Sequence, residues 1–264
     1  MRAEAIFSRP APSVEWPDTR SERHPSMAKK PTEPRKALLQ LTGVSRTYGE
    51  RQVLQPVTLK LSAGECVALL GHNGSGKSTL LRIAAGRELP TSGKVTFDGL
   101  PMDEGDPRIR ARVAVVGDTV ACYPDLSVRE HLLLVAVAHG VADARAWIEH
   151  VLADRNLADR ADALPSALSS GQMQALLLAC AMVRPRDLLL LDEPEQRLDP
   201  DARRRLAELL KAELADGVAV LLVTHHTDLA LEVADRVVVL EDGQVVAKGA
   251  PHTVLAEGAR GGVR

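Results

Sequence analysis

One stretch carries residues whose types and spacing can do chemistry. Gly71-His72-Asn73-Gly74-Ser75-Gly76-Lys77-Ser78 reads G-x-x-x-x-G-K-S, a loop whose backbone N–H groups wrap a triphosphate. Its glycines allow positive φ and close approach to phosphate oxygens. A helix opening at Lys77 aims free N–H groups and the positive end of its dipole at the anion. Lys77 is placed to reach the β- and γ-phosphates, and the Ser78 hydroxyl to ligate Mg²⁺. Further along, Asp192 and Glu193 close an apolar run, Leu188–Leu191. The first carboxylate can hold Mg²⁺ opposite the loop, and the second can orient or deprotonate an attacking water. His225 follows another apolar run and is a candidate contact to the same γ-phosphate.

These residues need strands and helices to position them. Cys66-Val67-Ala68-Leu69-Leu70 is a short apolar run, as a buried parallel strand requires, and Thr79–Ala85 has helical apolar spacing with Gly86 behind it. Strand, glycine loop and helix therefore follow in the required order. Upstream, Leu39–Leu41 and Val53–Leu61 alternate apolar and polar, as half-buried antiparallel strands do, with Tyr48 between them. Tyr48 is an amphipathic packing residue unless an adenine ring stacks on it. Lys94–Gly99 and Val113–Val116 read as strands. From Ser127 to about Val183 the pattern is helical: a capping box at Ser127/Glu130, a helix from Ala142 to Leu157, and a helix from Met173 to Val183 after Leu168-Ser169-Ser170-Gly171-Gln172. Ala202–Ala215 is an amphipathic helix, Val218–Val223 a buried strand, and Val237–Ala247 a hairpin turning at Asp242-Gly243. Strands alternating with helices predict an α/β fold with a mainly parallel sheet, and the block at about 125–183 reads as an inserted helical subdomain.

The whole chain sets limits. Its 264 residues suffice for a sizeable core, and 26% charged with 45% hydrophobic residues is ordinary for a globular protein. A net charge of −2 and only 2% aromatics argue against nucleic acid as a partner. Cys66, Cys122 and Cys180 have no metal-ligand spacing and read as reduced thiols. No run approaches the roughly 18 apolar residues of a membrane span, and no secretory signal opens the chain. Residues 1–36 hold six of the 16 prolines, with eight Lys and Arg against five Asp and Glu, and are expected to be a disordered, slightly basic tail; Met27 is a second candidate start. An ordered domain is expected over 37–256 and a short tail over 257–264, with no regulatory domain after Leu255.

Together the phosphate loop, Leu168–Gln172, Leu188–Glu193, Leu198-Asp199 and His225 resemble, in order and spacing, the ATP-binding subunits of ABC transporters, over roughly residues 38–256. The LSGGQ-like Leu168-Ser169-Ser170-Gly171-Gln172 discriminates best, because other phosphate-loop ATPases lack it. The resemblance implies a phosphate-loop NTPase core with an N-terminal antiparallel β subdomain and a helical signature subdomain. It implies ATP bound by Gly71 to Thr79, with Tyr48 stacking on adenine and Mg²⁺ held by Ser78 and Asp192. Glu193 and His225 would be the catalytic pair. It also implies a head-to-tail dimer, homo- or heteromeric, burying two ATPs. There Ser169, Ser170, Gly171 and Gln172 would cap the partner's γ-phosphate, and Asp199 would line the interface. Membrane-spanning subunits would be the further partners, placing the chain in the cytoplasm on the inner face of the membrane, with membrane contact through the partner only.

Three positions depart from the family pattern. Asp118 stands where Gln is usual, and remains a candidate Mg²⁺ ligand as a hard oxygen donor. Ser170 replaces a glycine, which is costly if that position needs positive φ. Gln174-Ala175-Leu176 replaces the usual basic residues after the signature. Two rivals stay open at this level: a soluble ABC-type ATPase, and a nucleotide-dependent switch with weak turnover.

Overall fold

The computed structural model describes residues 36–117, 122–196 and 198–261. The expected disordered tail, all but Lys36, and Asp118 lie outside the described residues. Strands β1 (Ala37–Tyr48) and β2 (Arg51–Ser62) pair antiparallel. Their alternation buries Leu39, Leu41 and Val44 against Leu54, Val57, Leu59 and Leu61. β3 (Cys66–Leu70), buried at every position, leads into the phosphate loop and α1 (Lys77–Ala84). β4 (Ser92–Phe97) and β5 (Leu100–Pro101) complete a four-stranded antiparallel sheet in the order β2-β1-β4-β5.

After the short α2 (Pro107–Arg110) and β6 (Val113–Val116) come three helices, α3 (Val128–Ala138), α4 (Ala144–Asp154) and α5 (Ser170–Met182). Then follow β7 (Leu188–Asp192), α6 (Pro200–Ala215), β8 (Ala219–Val223), α7 (Thr227–Val233), β9 (Arg236–Glu241), β10 (Gln244–Gly249) and α8 (Pro251–Gly261). The second sheet has the order β10-β9-β3-β8-β7-β6, parallel throughout except for β10 on β9. A parallel sheet must be covered on both faces. One face packs with α1 onto the antiparallel sheet through Leu80, Ile83, Leu69, Leu190 and Leu221. The other packs Leu189, Leu191 and Leu222 on α5, α6 and α7 through Leu178, Leu206, Leu210 and Leu229. The α3–α5 block has a core of its own around Leu132, Ile148, Leu152 and Leu176. No helix among the described residues is long and apolar enough to cross a membrane.

The short β5 and α2 were not expected, α4 is shorter at both ends than Ala142–Leu157, and three further elements differ from the sequence expectation. α5 starts at Ser170 rather than Met173, because Ser169 and Gln172 cap it reciprocally and the intervening residues take helical dihedrals. α7 was not expected, being seven residues long with a polar first turn. α8 runs to Gly261, past the boundary at residue 256. The three cysteines are free thiols; burial pushes the Cys66 thiol far above its usual range and Cys180 up to about 12, so neither is a ready nucleophile.

Candidate functional site

The phosphate loop is held by backbone contacts that only glycine permits. Gly71 has φ 145°, and a Cβ there would lie 2.1 Å from the Leu240 carbonyl oxygen. Behind the loop, the Asp242-Gly243 turn of the β9–β10 hairpin braces it: the Gly243 N–H donates to the Ser75 carbonyl at 3.1 Å, and the Gly243 carbonyl accepts from the Gln55 N–H at 2.8 Å. Ser75 and Gly76 are buried, while His72, Asn73 and Gly74 are exposed, so the loop presents its outer edge to a ligand. The His72 ring lies with Nδ1 2.8 Å from the Asn73 carbonyl and Nε2 3.6 Å from Asp242 Oδ1 of the hairpin turn.

Lys77 is buried, and its ammonium donates to the Gly71 and His72 carbonyls, each at 2.9 Å. Burial pushes its pKa below the usual value, and the charges of Glu193 and Asp192 oppose that shift. Ser78 donates from Oγ to Asp192 Oδ1 at 3.2 Å. A hydroxyl and a carboxylate oxygen thus converge at the mouth of the loop, a hard-oxygen pair that fits Mg²⁺. Thr79 turns inward instead, accepting from Arg82 Nη2 at 3.2 Å.

The register of β7 and β8 explains how the acidic pair meets the histidine. Asp192 pairs with Val223 across adjacent parallel strands, so Glu193 and His225 emerge at the same sheet edge. Glu193 Oε2 lies 3.6 Å from His225 Nδ1 and accepts a hydrogen bond from Gln196 Nε2. Glu193 takes a left-handed backbone, φ 47°, with its N–H donated to the Val223 carbonyl at 2.9 Å.

Tyr48 is 41% exposed, with Arg46 over its ring at 4.5 Å and its hydroxyl donating to Glu88. Glu88 also pairs with Arg46 and Arg82, which fixes the ring and its polar tip. Ser169, Gly171, Gln172 and Asp199 line a different cavity, between α5 and α6, where no phosphate-loop residue is found. Ser169 caps α5: its N–H donates to Gln172 Oε1 at 2.9 Å and its Oγ accepts from the Gln172 N–H at 3.3 Å. Asp199 caps α6, accepting from the Ala202 N–H at 2.7 Å. Ser170 sits in the first turn of α5 with no positive φ, so the backbone cost anticipated for a serine there does not arise.

The structure thus brings Lys77, Ser78, Asp192, Glu193 and His225 to one place and Ser169, Gly171, Gln172 and Asp199 to another. Sequence reasoning missed Gln196, Glu195 and His226. Gln196 holds the Glu193 carboxylate, whereas Glu195 and His226 flank His225. Their polarity directly behind two apolar strands was the available signal.

A glycine loop between a buried parallel strand and a helix, facing a carboxylate pair at the end of β7, defines a phosphate-loop nucleotide-binding protein. The model of the ABC transporter family matches residues 54–196. The Nod factor export ATP-binding protein I of Paraburkholderia xenovorans (strain LB400) is 38% identical over 222 residues, covering 83% of this chain and 73% of that protein. Its namesake from Rhizobium meliloti (strain 1021) is 36% identical over 221 residues, covering 83% and 66%. Among solved structures, an ATP-binding subunit of an ABC transporter superposes with a TM-score of 0.76 at 32% identity, covering 86% of this chain and 94% of that one. A bacterial ABC transporter cassette, solved as a dimer and as a post-hydrolysis dimer bound to ADP and Pi, gives 0.74 at 28% identity, covering 81% and 98%. The chain belongs to the ABC transporter family. It is an ATP-binding subunit and an ATPase.

Proposed function

We propose that this subunit hydrolyses MgATP at a site shared between two ATP-binding subunits, and so drives membrane-spanning partners from the cytoplasmic face. One observation supports the shared site above all. The phosphate loop with Asp192, Glu193 and His225 lies at one sheet edge, while Ser169, Gly171, Gln172 and Asp199 line a separate cavity. A helix N-terminus is a ready anion site. To cap a γ-phosphate, that of α5 must come from a second subunit.

In this reading the loop amides and Lys77 hold the β- and γ-phosphates, the ammonium exchanging its two carbonyl partners for phosphate oxygens. Ser78 and Asp192 are the Mg²⁺ ligands, and the ion would supply charge neutralisation on the phosphates. Glu193 orients and deprotonates the attacking water, with Gln196 fixing its carboxylate. His225 is the γ-phosphate contact beside it. Tyr48 offers adenine the ring face opposite Arg46. Asp118 is proposed as a further Mg²⁺ contact. A chain without a membrane-crossing helix among its described residues reaches the membrane through its partner, here seated on the α3–α5 block.

Turnover of the purified chain, measured beside Glu193→Gln, tests this. The parent should hydrolyse MgATP. The variant should lose at least about 100-fold in kcat, the lower end of general-base contributions, and accumulate as an ATP-dependent dimer in light scattering. A variant that turns over like the parent, or that stays monomeric with ATP, sinks the proposal.

A further inference from the structure

Three side chains that neither phosphate binding nor water activation accounts for as a group meet beside the carboxylate pair. Glu195, His225 and His226 each place one ligand-type atom within 4.8 Å of the others. The two imidazoles lie with ring centroids 4.3 Å apart, tilted by 38°. Glu195 is a carboxylate with 1% exposure. Its Oε1 accepts from Thr224 Oγ1, and that same hydroxyl accepts from the His226 N–H at 3.0 Å, which ties the carboxylate to the histidine backbone. Its Oε2 is buried with no hydrogen-bond partner. A buried carboxylate oxygen without a donor is costly, and a cation bound beside it would offset that cost.

We propose that Glu195, His225 and His226 form a binding site for a divalent transition-metal ion of the Zn²⁺ class, distinct from the Ser78–Asp192 pair. Two imidazoles and one carboxylate suit zinc and its neighbours, whereas Mg²⁺ prefers all-oxygen ligands. Zinc–nitrogen bonds of about 2.0–2.1 Å set tetrahedral ligand atoms roughly 3.4 Å apart, so atoms already within 4.8 Å of one another need close only slightly. The buried Glu195 is the fixed ligand. His225 is exposed and His226 half-buried, so the imidazoles are the ligands with room to turn. Three protein ligands leave the fourth position for water. An ion held by His225 takes up a ring nitrogen of the imidazole that lies 3.6 Å from Glu193 Oε2, and so competes with the γ-phosphate for that histidine. Zinc would then inhibit turnover, a consequence that rests on the proposed role of His225; the binding itself does not.

The test is a titration of the tag-free full-length chain, without nucleotide, by Zn²⁺ in competition with a chromophoric chelator. One equivalent should bind, unaffected by millimolar Mg²⁺. Glu195→Gln and His226→Ala should each weaken it about tenfold or more, and His252→Ala, an exposed histidine of α8, should not. His226→Ala keeps the buried network and covers the case in which Glu195→Gln fails to fold. No binding, or binding indifferent to His226→Ala and to any folded Glu195 variant, overturns the site. In MgATP turnover, Zn²⁺ at its measured Kd should slow the parent by about half and leave His226→Ala unaffected. Zinc that binds as described but leaves turnover unchanged upholds the site and overturns the role given to His225.

Discussion

At the scale of single residues, the phosphate loop shows how differently three glycines of one motif are constrained. Gly71 is hemmed in: a methyl there would meet the Leu240 carbonyl at 2.1 Å and Ser75 Oγ at 2.8 Å. Gly74 has φ 83° and nothing within 4 Å of a virtual Cβ, so only its backbone strains. Gly76 lies between, 3.0 Å from the Val53 carbonyl. Gly71→Ala should therefore cost about 2–3 kcal/mol in stability, by overpacking against backbone that cannot yield. Gly74→Ala should cost only about 1–2 kcal/mol, the left-handed penalty of an L residue. Urea denaturation of both variants checks the order, and equal losses would refute the packing argument.

At the scale of elements, α3 and α5 open with the same device, and only α5 is proposed to act across a dimer. Ser127 and Glu130 cap α3 reciprocally, as Ser169 and Gln172 cap α5. Ser127→Ala and Ser169→Ala should each lose about 1 kcal/mol of stability in thermal melts. Only Ser169→Ala should also reduce ATP-dependent dimerisation, since its helix start lines the cavity with Asp199. Parallel effects on both readouts would leave the α5 terminus as a cap and nothing more. The C-terminal end of α3 carries a pH dependence. Burial, with Arg184 and Arg110 nearby, lowers the His139 pKa to about 4 from a usual value near 6.5. The unfolded chain then binds more protons between about pH 4 and 6.5, so stability is complete above that window and falls as pH drops through it. His139→Gln should flatten this slope in equilibrium unfolding at pH 4.5, 5.5 and 7; an unchanged slope would assign it to other groups.

Across the whole molecule, the sequence reveals what apolar periodicity governs. Cys66–Leu70, Leu188–Leu191 and Val218–Val223 are continuous apolar runs, and they are the buried parallel strands that lead to Lys77, Asp192 and His225. The antiparallel sheet was equally readable from the alternation in β1 and β2. The start of α5 was not, because Ser170, Gly171 and Gln172 carry no apolar stripe and their helical state comes from the cap. Nor was the burial of Glu195, whose carboxylate meets the Thr224 hydroxyl, far along the chain, rather than its sequence neighbours. Whether Ser170 needed positive φ could be asked from the sequence, but only backbone coordinates answer it.

Glu193 bears on the molecule as a trade between endurance and work. It holds φ 47°, a conformation that costs an L residue with a long side chain about 1–2 kcal/mol, and the fold sustains it at the point where water would be activated. Glycine takes that conformation freely. Glu193→Gly should therefore melt higher than the parent, by the few degrees that about 1 kcal/mol represents in a domain of this size, while losing turnover. A lower melting temperature would show that the Gln196 contact outweighs the strain. A higher one would mean that this chain gives up durability at the residue proposed to activate the water.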